Sequence, residues 1–72
     1  MARRDLEVEV YRGSRKEAGP YDLLADPDNI PELREYLQDW LTGNKWAAGH
    51  WGKFSLKVRY AGEWTVRKTV RP

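Results

Sequence analysis

Cysteine is absent from the 72-residue chain, histidine and methionine occur once each, and serine occurs only at Ser14 and Ser55. Without cysteine there is no disulfide framework, no thiolate zinc site and no thiol nucleophile. A hydroxyl nucleophile would have to draw both its base and its orienting group from the neighbourhood of His50, and too few groups remain for that. Neither a G-x-S-x-G elbow nor a phosphate-cradling G-x-x-x-x-G-K-[ST] loop is present. The chain therefore reads as non-enzymatic, with no cofactor. One imidazole with scattered carboxylates does not make a metal site. Asp26 and Asp28 in "ADPDN" resemble the start of a calcium loop, but the required glycine and distal glutamate are missing, so turn and capping roles are expected for both.

Long apolar runs are missing too. None approaches the ~20 residues of a membrane span, and "MARRDLEVEV" passes from arginines straight into alternation, so no signal peptide is expected. A reducing, cytoplasmic location follows as the expectation. Neither charge sign dominates: 13 basic residues face 11 acidic ones, for a formal charge of +2.

Aromatic side chains are what the chain has in quantity, with four Trp, four Tyr and one Phe. A domain of this size buries only ~60% of its unfolded surface, so large rings must supply the core density that staples supply elsewhere. One domain spanning residues 1–72 is expected.

In "DLEVEVYR", Leu6, Val8 and Val10 alternate with Glu7, Glu9 and Tyr11, which predicts a strand over 5–12 with one buried face. "RGSRKEAG" is polar and bounded by glycine and reads as a loop. "GPYDLLADPDN" fits a helical turn or a short strand. An edge strand from Tyr21 to Leu24 is preferred, because proline is tolerated at an edge and a structureless connection of about sixteen residues is unusual.

From Ile30 onward, Ile30, Leu33, Tyr36, Leu37, Trp40 and Leu41 form one apolar stripe at helical spacing. Asn29 and Glu32 have capping-box spacing, Pro31 suits a first turn, and Gly43 or Asn44 is expected to close the helix in the left-handed conformation. Two further alternating runs follow, Phe54, Leu56, Val58, Tyr60 and then Trp64, Val66, Val70. A two-residue Ala61-Gly62 turn would oppose apolar to polar faces. A longer loop instead pairs Tyr60 with Trp64, Val58 with Val66 and Phe54 with Val70. Lys68 then falls on the inward parity, at the core margin, with its ammonium reaching water. The sum is an α+β fold, ββαββ or βαββ, with one amphipathic helix packed on a three- or four-stranded antiparallel sheet.

Candidate binding surfaces remain. Trp46, His50 and Trp51 lie in "KWAAGHWG", a glycine-rich connection that neither periodicity explains. Together with Tyr11 and Arg59 they are the candidate contacts for a protein partner. At least one of the two loop tryptophans is expected to serve as a lid on the core, whereas Trp40 and Trp64, on regular elements with inward parity, are expected inside it. The alternative partner is nucleic acid, held weakly by Arg3, Arg4, Arg15, Lys16, Lys57, Arg59 and Arg67, with Arg12 adding a phosphate contact. Against it, Glu7 and Glu9 would oppose these cations if the first strand adjoined the C-terminal hairpin, giving a charge ladder on a solvated face. A homodimer through a sheet edge is a third arrangement the pattern allows.

The segments "LEVEVYRG", "DPDNIPELREYLQDWL" and "WGKFSLKVRYAGEW" together resemble small accessory proteins of actinobacterial phages. That resemblance implies a protein acting inside an infected cell by binding and altering a host protein. It carries no assigned site residues.

Overall fold

The computed structural model describes residues 3–47 and 49–72. Its elements are β1 (Arg4–Arg12), β2 (Arg15–Ala25), the helix α1 (Ile30–Gly43), two 3₁₀ turns (Lys45–Ala47 and Trp51–Lys53), β3 (Phe54–Tyr60) and β4 (Lys68–Val70). The strands form one antiparallel sheet in the order β2-β1-β3-β4. Its inner face carries Leu6, Val8 and Val10 of β1, Leu56 and Val58 of β3 and Val70 of β4, and these pack in one cluster with Leu33, Leu37 and Leu41 of α1. The ββαββ order and the helix stripe agree with the sequence pattern.

The start of α1 is built as its spacing predicts. The Asn29 side chain accepts from the Glu32 backbone N–H at 3.2 Å, while Asn29 Nδ2 donates to the Glu32 carboxylate at 3.3 Å. The helix end differs from expectation. Neither Gly43 nor Asn44 takes a positive φ. Instead Asn44 is extended and folds its amide back onto the Trp40 carbonyl at 2.7 Å, satisfying by side chain what a left-handed residue would satisfy by backbone.

The segment "RGSRKEAG" is not a loop. β1 and β2 join through the two residues Gly13 and Ser14, Gly13 taking φ +60°, and β2 runs for eleven residues rather than four. Two register shifts, between Val8 and Val10 and between Val10 and Tyr11, absorb extra residues of β2. They scramble its alternation, which is why the strand does not declare itself. Gly19 sits in this irregular stretch with φ +100°, and a Cβ built there would lie 2.7 Å from the Val8 carbonyl oxygen and 3.1 Å from Glu9 Cα. Both obstacles are backbone and cannot step aside. Gly19→Ala should therefore lower stability by about 2 kcal/mol, read as the shift of the urea midpoint at unchanged slope. A midpoint within error of wild type would contradict the close approach.

The C-terminal hairpin keeps the expected parity but slides by two residues. Val58 pairs with Lys68, Lys57 with Thr69 and Leu56 with Val70, leaving residues 61–67 as the loop. A local turn does form at Ala61-Gly62, with the Glu63 N–H on the Tyr60 carbonyl at 3.0 Å, but the ladder does not resume there. The guanidinium groups of Arg4 and Arg67 lie over the Tyr60 ring, 4.3 and 4.7 Å from its centre. They cover the ring where Trp64 was expected. Trp64 is consequently not a core residue: it is 97% exposed, and Val66 is 40% exposed. Lys68, at the margin as anticipated, lies 3.5 Å from Asp28.

Candidate functional site

The sheet presents three distinct surfaces outside the core. On the outer face, β1 does adjoin β3, with Glu7 directly across from Arg59 and Glu9 across from Lys57. Arg59 donates to Glu9 at 2.6 Å and also lies 3.6 Å from Glu7, and Lys16 reaches Glu9 at 3.4 Å. Lys57 sits over the Tyr11 ring at 4.1 Å. Glu9 is buried, at 6% exposure. Burial alone would push its carboxyl pKa up, but the Arg59 and Lys16 cations outweigh that and hold it below its ordinary value. The same hydrogen bond to Glu9 raises the Arg59 guanidinium pKa against its own desolvation.

Most of the proposed nucleic-acid contacts are therefore already engaged within the fold. Arg3 pairs with Glu32 and donates to the Leu24 carbonyl, Arg15 faces Glu17, and Arg67 pairs with Glu63. Arg4 lies over Tyr60. Arg59 and Tyr11, proposed as protein contacts, are likewise occupied by Glu9 and Lys57.

The second surface is the end of the sheet where β1 turns into β2 and the 3₁₀ turns lead into β3. Trp46 packs edge-on against Trp40 (ring centres 6.1 Å apart) and Phe54 (5.7 Å). It closes this end of the core while half of it stays exposed. Trp51 is exposed at 38%, and His50 beside it is exposed. Arg12, Gly13, His50, Lys53 and Arg71 line a depression of about 360 Å³. Sequence reasoning missed Lys53 and Arg71, because the groups that meet here come from three separate chain segments. The available signal was slight: Arg12 beside the β1–β2 turn, Lys53 at the entry to β3 and Arg71 just after β4.

The third surface is the 61–67 loop at the opposite end. Trp64 stands on it beside a shallow depression formed with Glu7, Arg59, Gly62 and Glu63. The Gly62 N–H donates to Glu7 at 3.3 Å and the Ala61 N–H to the Asp5 carbonyl at 3.0 Å, which ties the loop down to β1. A loop tethered on both sides of Trp64 thus presents its indole to solvent. Parity placed this residue inside, and only the two-residue slide reveals it.

Among the described residues no group of three or more His, Asp or Glu side chains is placed to hold a metal ion, and no helix is long and apolar enough to cross a membrane. No family model, no curated protein and no solved structure matches the chain.

Proposed function

We propose that this chain is a non-enzymatic binding module that docks on a protein partner, with Trp64 as its principal anchor. The observation that supports this reading is the exposure of Trp64, 97%, against 50% for Trp46, 38% for Trp51 and the partial burial of Trp40. The fold leaves this tryptophan, alone of the four, almost wholly in water, on a loop held by backbone hydrogen bonds. Such a side chain contributes nothing to folding and is suited to a partner's pocket. Burying an indole of 150–250 Å² is worth about 4–6 kcal/mol before the costs of association. The charges around it, Glu7 with Arg59 and Glu63 with Arg67, are mutually paired, so the rim is polar without net charge. That rim suits a neutral protein pocket better than a polyanion.

The resemblance to phage accessory proteins supplies the setting, a host protein inside an infected cell, and this part of the proposal rests on that resemblance. Trp64→Ala should weaken retention of the partner by about 30-fold or more, while the stability of the free protein changes by less than about 0.5 kcal/mol. Immobilised wild-type and variant protein, exposed to nuclease-treated lysate of the native host, make the comparison. Retention of the same proteins by the folded variant would refute the anchor.

A further inference from the structure

We propose that the depression at the opposite end of the sheet is an anion site that takes a phosphate group. β1 and β3 pair Leu6 with Tyr60 at the Trp64 end and Arg12 with Phe54 at this one. Six residue steps of about 3.3 Å separate the two ends by roughly 20 Å. The inference is therefore independent of the role assigned to Trp64.

Three cations, Arg12, Lys53 and Arg71, line the depression together with His50, and no carboxylate does. Elsewhere on the described surface the cations are mostly consumed. Arg3, Arg15, Lys16, Arg59, Arg67 and Lys68 each lie within ion-pair distance of a carboxylate. Lys53 and Arg71 have no ion pair among the described residues, and the backbone of each is tethered by a hydrogen bond. The Lys53 carbonyl accepts from the Gly13 N–H at 2.9 Å, and the Arg71 carbonyl accepts from Arg34 Nε at 3.2 Å.

Arg12 is held from two sides, 5.8 Å over the Trp46 ring and 3.8 Å from Glu17. Glu17 offsets it only in part, since Arg15 shares the same carboxylate oxygen at 3.6 Å. The result is a concentration of positive charge on anchored backbone in a chain whose formal charge is only +2.

The number and kind of donors select the ligand. A carboxylate brings one charge and would leave two cations uncompensated. A phosphate brings close to two charges, with three acceptor oxygens that two guanidinium forks and an ammonium can share. The depression, about 360 Å³ and open to solvent, leaves room beside a phosphate for the alcohol part of an ester. The ligand class is accordingly a phosphate monoester, with free phosphate as the minimal form of the same chemistry.

The test is a titration of the ¹⁵N-labelled protein, followed by amide shifts, with inorganic phosphate, a nucleoside 5′-monophosphate, O-phosphoserine and acetate, each at matched ionic strength against chloride. Saturable shifts centred on Gly13, His50, Lys53 and Arg71 are expected with the phosphate compounds, tighter for one of the monoesters than for inorganic phosphate. The Lys53→Ala/Arg71→Ala protein should retain the wild-type spectrum elsewhere and lose at least tenfold in affinity. Three results would each overturn the proposal: shifts no larger than with chloride, acetate saturating as tightly as phosphate, or unchanged binding by the double variant. The tighter of the two monoesters identifies the source of the phosphate. Equal binding by all three phosphate compounds would overturn the assignment to an ester and leave the ion alone.

Discussion

Phe54→Ala is expected to cost about 3–5 kcal/mol of stability, the range for removing a fully buried phenylalanine. Phe54 has no exposed surface, and its ring meets Trp40 at 6.2 Å and Trp46 at 5.7 Å between ring centres. The substitution deletes apolar burial, opens a cavity and removes the partner from two aromatic contacts at once. A chain of this length has only about 4–11 kcal/mol in total. The loss therefore takes about a quarter or more of the stability, and the melting temperature should fall by about 12 °C or more. Phe54→Leu, which keeps most of the volume, should cost less than about 1.5 kcal/mol. Thermal unfolding followed by near-ultraviolet circular dichroism reads both. A loss below about 1 kcal/mol for the alanine variant would show that the ring cluster does not close the core.

Arg59→Ala should cost about 3 kcal/mol, a magnitude that surface ion pairs do not reach. The reason lies in what remains behind. Glu9 is buried, and without Arg59 the one cation left within ion-pair distance among the described residues is Lys16 at 3.4 Å. An under-compensated carboxylate in that position is more damaging than the absence of the pair. Replacing both partners, as in Glu9→Leu/Arg59→Leu, should accordingly recover most of the loss.

The acid response follows from the direction of the Glu9 shift. Its folded pKa is depressed, so the stabilisation is fully present above the ordinary carboxylate value and is lost as pH falls through the lower folded value. The raised pKa of Arg59 acts at the other extreme, with its contribution lost only in strong alkali. Urea midpoints of wild type and Glu9→Gln measured between neutral pH and pH 2 should converge as the pH drops below about 4.5. Parallel curves over that range would mean that Glu9 does not titrate with folding.

The parts of this fold that sequence reveals are those governed by local periodicity. The stripe from Ile30 to Leu41 and the alternation of Leu6, Val8 and Val10 need only their own neighbours to be read. β2 escapes because its bulges, and the close approach of Gly19 to Val8, shift residues from face to face within one strand. Asn44 caps by side chain, which no conformational preference for left-handed residues would anticipate. Trp64 escapes for a different reason. Parity determines which face a strand residue takes only if the ladder continues. Here Arg4 and Arg67 cover Tyr60, Lys68 reaches Asp28, and the ladder resumes in a register two residues displaced from the one the apolar pattern suggests.

The same non-local causes shape the surfaces. The charge ladder between Glu7, Glu9 and Arg59 could be anticipated because it depends only on which strands are neighbours. The cationic depression could not, since Arg12, Lys53 and Arg71 meet only after β1, the second 3₁₀ turn and the C-terminal segment converge. His50, Trp46 and Trp51 do share one end of the sheet, as their proximity in the chain suggested, but they divide between closing the core and facing water.

In the proposed division of labour between two tryptophans, Trp46 closes the core and Trp64 is left for a partner. Its most direct test measures Trp46→Ala and Trp64→Ala side by side, for both urea midpoint and retention of host proteins after nuclease treatment. The expected result is a crossed pattern: Trp46→Ala loses stability, by about 3 kcal/mol or somewhat less given its exposure, and where still folded retains the partner, whereas Trp64→Ala keeps the wild-type midpoint and loses the partner. If Trp64→Ala unfolds the protein, or leaves capture intact, the assignment of Trp64 as the docking anchor is wrong.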